Sequence, residues 1–276
     1  MNYLQFDFEI NKEVLSDTLL AILNNYSFEG FEETDGCLKA FMPETSYKEE
    51  YITEVAAYFP FLQYTMSVVE NINWNKQWEE NFQPVMVDDF VAIRAHFHLP
   101  ITHVQHQIII TPKMSFGTGH HATTYMMMQA MEHIDFTNKK VVDFGTGTGV
   151  LAILASKLGA TSILAIDYDE WSIENAKENL LQNNTPAIEL LLGDALLADA
   201  TYDIILANIN LNIILKNIAL IAASSTPGSI ILLSGFLKDD EYAIKSALII
   251  NDLVYVETFQ KGEWIAVKAM KQIKII

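Results

Sequence analysis

The chain opens on strict alternation: Tyr3, Gln5, Asp7 and Glu9 interleave with Leu4, Phe6, Phe8 and Ile10, which predicts a strand with one buried face. The period then lengthens to that of a helix. Val14, Leu15, Thr18, Leu19, Ile22 and Leu23 form one apolar stripe, with Asn11 placed as its N-cap. Asp35-Gly36 marks a hairpin turn between two short strands. A second helix is expected over 46–58, ending ahead of Pro60, whose ring disfavours helical backbone in the residue before it. Residues 62–69 return as a strand. The order βαββαβ over residues 1–72 predicts a small ferredoxin-like α+β domain, a fold that carries no function by itself.

The rhythm then changes. Residues 73–82 read as a linker helix, and 85–98 and 107–111 as strands, so 73–112 is expected to be a linker helix and small sheet between two domains. Beyond residue 140, strand-sized apolar runs (162–167, 188–192, 202–207, 229–234) alternate with helical stretches (150–158, 170–183, 211–223). That alternation predicts a doubly wound, mostly parallel α/β sheet covered on both faces within residues 113–276. Two last strands, 253–259 and 264–270, flank Gly262 as an antiparallel hairpin. Met126, Met127 and Met128 fit helix packing rather than cofactor contact.

The sharpest chemical signal lies between the first strand and first helix of the parallel unit: Asp143-Phe144-Gly145-Thr146-Gly147-Thr148-Gly149. Glycines there let the backbone turn tightly and approach a ligand closely. A dinucleotide fingerprint, G-x-G-x-x-G, would need a glycine where Val150 stands, and a diphosphate would not welcome the Asp143 carboxylate. A sulfonium cation with an α-amino group suits that carboxylate better. Asp167 ends the next strand about 20 residues on, where an acid accepts both hydroxyls of a ribose. Asp194 follows the third strand, placed either to meet an adenine amine or to cap a helix. The spacing favours S-adenosyl-L-methionine over a nicotinamide dinucleotide.

Bulk properties narrow the partners. Half of the 276 residues are hydrophobic, enough for a well-filled core. The net charge of −18 argues against a grip on nucleic acid and favours encounter with a basic partner, although acidity also serves solubility. No apolar run approaches the ~20 residues of a membrane span. The start has no basic segment followed by an apolar one, and Cys37 is the single cysteine, so a cytoplasmic protein is expected. Six of seven histidines fall between His96 and His121, and His96 and His98 are expected on one strand face. No Cys or Glu-x-x-His spacing accompanies them, so no metal is expected.

Three further stretches are more specific: Phe116-Gly117-Thr118-Gly119-His120-His121-Ala122-Thr123-Thr124, Asn208-Ile209, and Trp74-Asn75-Lys76-Gln77-Trp78 with Phe82 and Pro84. With Ser234-Gly235-Phe236-Leu237 and Gly262-Glu263-Trp264, the whole chain resembles the bacterial methyltransferase family that modifies large-subunit ribosomal protein eleven. The resemblance implies a class I S-adenosyl-L-methionine-dependent enzyme on a seven-stranded Rossmann-like sheet, releasing S-adenosyl-L-homocysteine. It implies cofactor contact by Thr124, Gly145, Asp167 and Asn208, with Phe116 and Gly117 in a loop that closes over the cofactor. It also implies that the N-terminal domain recognises the ribosomal protein, free or early in assembly, and that several of its amines are methylated.

Methyl transfer from a sulfonium is an in-line displacement, so a dry, aligning site matters more than a strong acid or base. The nucleophile must be a neutral amine. Asn208 ends a parallel strand, and its side-chain oxygen, or a nearby backbone carbonyl, is placed to accept amine hydrogens. Many amine methyltransferases continue Asn-Pro-Pro-Tyr here. Asn208-Ile209-Asn210-Leu211 lacks that aromatic clamp, which favours a lysine or N-terminal amine over a flat base. The alternatives are a class I methyltransferase for another protein, a small molecule or nucleic acid, a non-catalytic binding module, and a nicotinamide oxidoreductase.

Overall fold

The computed structural model describes residues 2–10, 16–34, 36–59, 61–69, 82–113, 115–185, 187–197 and 199–273. The expected linker helix with Trp74 and Trp78, the cap Asn11, the stripe residues Val14 and Leu15, and Asp35 lie outside them. The chain divides into two compact units, Met1–Asn81 and Phe82–Ile276.

In the first unit the elements are β1 (Tyr3–Glu9), α1 (Ser16–Leu23), β2 (Gly30–Thr34), β3 (Cys37–Pro43), α2 (Glu49–Tyr58) and β4 (Tyr64–Val69). The sheet runs β2-β3-β1-β4, with each neighbouring pair antiparallel. The alternation read in β1 is real: Leu4, Phe6 and Phe8 are buried with Leu19, Leu23, Leu38 and Val55, while Gln5 and Asp7 are half-buried on the other face. Helix α2 starts later than residue 46, because Tyr47 is extended (ψ 134°) and separates it from a short 3-10 turn, Glu44–Ser46.

The second unit begins with a three-stranded sheet of β5 (Val85–Val87), β6 (Val91–Ala95) and β7 (His106–Ile110). The single strand expected over 85–98 is instead a hairpin, because Asp88 takes a left-handed backbone (φ 49°) and turns the chain. His96 and His98 therefore do not share a strand face. They lie in the turn after β6, where the His98 N–H donates to the Ala95 carbonyl (3.2 Å) and the Ala95 N–H to His98 Nδ1 (3.2 Å).

Then come α3 (Ala122–Met131), β8 (Lys140–Phe144), α4 (Val150–Lys157), β9 (Ser162–Asp167), α5 (Glu170–Gln182), β10 (Ile188–Leu192), β11 (Tyr202–Asn208), α6 (Leu211–Ala223), β12 (Ser225–Leu237), α7 (Glu241–Ile250), β13 (Leu253–Lys261) and β14 (Trp264–Lys271). They build a seven-stranded mixed sheet in the order β10-β9-β8-β11-β12-β14-β13. Its first five strands are parallel, and β14 and β13 close it antiparallel. Apolar clusters fill both faces. Met126, Met127, Met128 and Met131 pack with Ile153 and Leu206, while Val142, Ile205 and Leu233 pack with Ile214, Ile218 and Ile244.

The sequence reading had no helix at α7. Ile244 and Leu248 are its buried stripe, but Tyr242, Ile249 and Ile250 are exposed and blur the period.

The small sheet is bound to α5 by side-chain amides. Asn183 Oδ1 accepts the Ile109 N–H (2.9 Å) and its Nδ2 donates to the Ile109 carbonyl (2.6 Å). Asn179 Oδ1 accepts the Thr111 N–H (2.7 Å), and Asn175 Nδ2 donates to the Thr111 carbonyl (3.0 Å). Spaced four apart on one helix face, these asparagines do for the edge of β7 what a neighbouring strand would do.

Candidate active site

Strand order reverses between β8 and β11, so the connections leaving their carboxyl ends go opposite ways and leave a crevice. A cleft of about 660 Å³ lies there, lined by Phe144, Gly145 and Gly147 after β8, Asp167, Tyr168 and Asp169 after β9, Gly193 and Asp194 after β10, and Asn208 and Ile209 at β11. Ser115, Phe116, His121, Gly235 and Trp264 are also part of its wall.

The glycine loop is held close to β9: the Gly145 and Thr146 N–H groups both donate to the Ile166 carbonyl (2.8 and 2.9 Å). Gly145 and Gly147 sit at positive φ (79° and 54°). A Cβ at Gly145 would run into the Ile209 side chain, and one at Gly147 into the Phe116 carbonyl. No other residue type satisfies both the turn and the close approach.

Asp167 is 7% exposed, and it already organises the loop. Its Oδ2 accepts the Gly147 N–H (2.8 Å) and its Oδ1 the Asp169 N–H (3.1 Å). Each carboxylate oxygen keeps acceptor capacity toward the cleft. Asp169 caps α5 through the Trp171 N–H. Asp194 is an exposed lining residue, and no hydrogen bond within the protein ties its carboxylate down among the described residues.

Asp143 lies beneath the loop, fully buried, and does not line the cleft. Burial pushes its carboxyl up to about 7, against the Thr146 hydroxyl and the Ala152 N–H, which favour the charged form; the Asp167 charge adds to the rise. The Thr146 hydroxyl donates to Oδ2 (2.6 Å), and Oδ1 has no partner among the described residues.

Asn208 is the second orphan. Its Nδ2 donates to Thr124 Oγ1 (3.2 Å), which fixes the amide plane, while Oδ1 is buried without a partner among the described residues. Thr124 is fully buried and stands behind Asn208 rather than in the cleft wall. Gly117 is likewise absent from the wall and packs against Thr148.

Of the nine residues singled out from sequence, six line the cleft: Phe116, Gly145, Gly147, Asp167, Asp194 and Asn208. Thr124, Asp143 and Gly117 form the layer behind. Lining residues that residue patterns did not mark as site residues include Tyr168, Asp169 and His121. The first two follow Asp167 directly, so adjacency was the available signal. His121 Nδ1 pairs with Thr123, and its ring meets Trp264 (centroids 4.6 Å apart) and Phe116 (5.2 Å). That aromatic wall draws on positions more than a hundred residues apart.

Among the described residues, no three His, Cys, Asp or Glu side chains converge as a metal set, and no helix is long and apolar enough to cross a membrane.

Comparison with known proteins adds three findings. Residues 11–272 match the family model described as Ribosomal protein L11 methyltransferase (PrmA). Curated relatives named ribosomal protein L11 methyltransferase include those of Phocaeicola vulgatus, 38% identical over 97% of this chain and 99% of theirs, and Chlorobaculum parvum, 39% identical over 96% and 95%. A crystal structure of ribosomal protein L11 methylase from Lactobacillus delbrueckii subsp. bulgaricus superposes with a TM-score of 0.65 at 29% identity, covering 70% of this chain and all of that one.

Proposed function

The chain belongs to the ribosomal protein L11 methyltransferase family, and from that premise we propose that it transfers methyl groups from S-adenosyl-L-methionine to lysine and/or N-terminal amines of ribosomal protein L11. One observation carries the chemistry: at the carboxyl end of β11, Asn208 lines the cleft with its amide plane set by Thr124 and its Oδ1 without a partner among the described residues.

The residues present suit the cofactor. Gly145 and Gly147 line the cleft with bare backbone, Asp167 and Asp194 offer hydroxyl and amine acceptors, and Asp143 keeps an orphaned oxygen below the loop. Among the described residues, the carboxylates lining this cleft, Asp167, Asp169 and Asp194, suit a cationic ligand. When bound, S-adenosyl-L-methionine supplies an electrophilic methyl group and leaves as S-adenosyl-L-homocysteine.

The protein's share is alignment. Asn208 Oδ1, an acceptor without a donor of its own to offer, takes an N–H of a neutral amine and turns the lone pair away from itself toward the cleft. Phe116 and Trp264 add apolar surface to the cleft wall, which helps keep the dispersing charge out of bulk solvent. A charged ammonium has no lone pair, so the reaction needs the deprotonated amine.

The order β2-β3-β1-β4, with both helices between strands, supports reading the first unit as ferredoxin-like, and its docking role follows from the family resemblance. We assign residues 1–72 to substrate recognition, 73–112 to the connection and 113–276 to catalysis. The substrate is the ribosomal protein free or early in assembly, without a direct grip on nucleic acid, and the enzyme works in the cytoplasm without a metal.

The deciding experiment is incubation of the full chain with methyl-labelled S-adenosyl-L-methionine and a mixture of ribosomal proteins, followed by mass spectrometry. Label on L11 amines is the expected result. Label on RNA, on another protein, or on none of them overturns the proposal.

A further inference from the structure

Thr148 spends every polar group it has outside its own loop. Its backbone N–H donates to the Phe116 carbonyl (2.9 Å), and its hydroxyl donates to the Gly117 carbonyl (2.7 Å). Its own carbonyl accepts from Asn179 Nδ2 (2.8 Å). Both Thr148 and Asn179 are fully buried. The other end of the Asn179 amide accepts the Thr111 N–H, just ahead of the segment that carries Phe116. One asparagine thus holds the root of that segment and the glycine loop at once.

The glycines of the two loops make this approach feasible. A Cβ on Gly117, at φ 107°, would stand 2.7 Å from the Thr148 hydroxyl. A Cβ on Gly147 would strike the Phe116 carbonyl. Gly117 is therefore needed for contact between the loops. Phe116 is half exposed at the cleft wall, where its ring meets His121, and two backbone carbonyls, its own and Gly117's, tie its backbone to the glycine loop.

We propose that Thr148, braced by Asn179, is a positioning residue: it clasps the Phe116 segment to the glycine loop, so that the loop holding the cofactor and the segment closing over it move as one piece. The inference rests on the cleft being the cofactor site. Its physical core, the clasp itself, does not. Breaking the hydroxyl bond strands the Gly117 carbonyl and frees the segment, which shortens the residence of whatever the cleft holds.

Thr148→Val keeps the β-branched shape and the N–H but removes the hydroxyl, while Thr148→Ser restores it. Hydrogen exchange of the ligand-free protein reads the clasp directly. In Thr148→Val, the amide at position 148, whose N–H donates to the Phe116 carbonyl, should exchange about tenfold faster relative to its intrinsic rate, with α6 and β11 unchanged, and Thr148→Ser should stay within about twofold of wild type. The dissociation rate of S-adenosyl-L-homocysteine should rise about tenfold in the Val variant and not in the Ser variant. In a Phe116→Ala background, Thr148→Val should add less than about twofold, because both changes act through one segment.

Equal behaviour of Val and Ser variants, unchanged exchange of the amide at position 148, or a loss of protection spread across the whole sheet each overturns the clasp. A Val effect that persists in full without Phe116 does so too. Failure of the wild-type protein to bind S-adenosyl-L-homocysteine would instead overturn the cofactor site, with the exchange result still deciding the clasp.

Discussion

Two buried oxygens decide most of what individual residues do here. Asp143 holds its proton to about 7, while an exposed aspartate loses it near 3.8. Between those values the folded state carries a proton that the unfolded state has released, so the contribution of Asp143 to stability falls as pH rises from about 4 to about 7 and is level above. Asp143→Asn should flatten that dependence and raise stability at pH 8 by on the order of 2–4 kcal/mol, read as denaturant midpoints across pH. The same change should weaken cofactor binding, since it removes a carboxylate beneath the glycine loop; calorimetry at pH 8 with unchanged affinity would sink that half. Asn208 makes a different prediction. If Oδ1 aims the amine, Asn208→Ala should lower single-turnover rates ~10²–10³-fold at saturating cofactor, with a smaller change in cofactor affinity. A near-normal rate would leave Asn208 as a binding residue only.

Among the elements, α5 has the widest reach. Its first turn is capped by Asp169 beside the cleft, its middle carries Asn179 beneath the glycine loop, and its end pairs Asn183 with the backbone of β7. Strand β7 is paired in its own sheet with β6 alone, so its other edge depends on these amides. Asn183→Ala would leave both polar groups of Ile109 without a partner. An expected loss of about 2–4 kcal/mol follows from two stranded backbone groups, to be read as a shift in the urea midpoint with the slope unchanged. Asn183→Asp, which keeps the acceptor for the Ile109 N–H but loses the donor, should fall between. No shift in either variant would mean that apolar packing of Ile108 and Ile110 holds the strand unaided.

Charge is a property of the whole molecule, and it is unevenly spread. Residues 1–81 hold 15 acidic and 4 basic side chains, a net of −11 out of the chain's −18. Such a surface draws in a basic partner over a Debye length, about 30 Å at 0.01 M salt and about 8 Å at 0.15 M. The kcat/KM for the protein substrate should therefore drop several-fold across that range while cofactor affinity changes little. A flat response would leave the acidity to solubility alone. A chain beginning at Asn73 should bind cofactor as the full chain does yet methylate the ribosomal protein poorly. Equal activity of the two would remove the docking role from the first unit.

Local pattern was enough to read most of the elements and the chemistry of the glycine loop. Strand alternation in β1, the runs at β9, β10 and α6, and the acids at 143 and 167 are properties of short windows, because side-chain period and turn geometry are set by neighbours along the chain. The ends of the sheet and the packed surroundings were not readable that way. The hairpin at Asp88 depends on one residue's left-handed backbone, and α7 hides its period behind exposed apolar residues. Thr124, Asp143 and Gly117 looked like ligand contacts, and the fold puts them one layer back, holding Asn208, underlying the loop and receiving Thr148. Sequence spacing marks which residues belong near a ligand. Only the folding of β8, β9 and β11 side by side, with the Phe116 segment laid over them, decides which side chain faces the cleft and which one holds it in place, because that depends on contacts between positions from 20 to 84 residues apart.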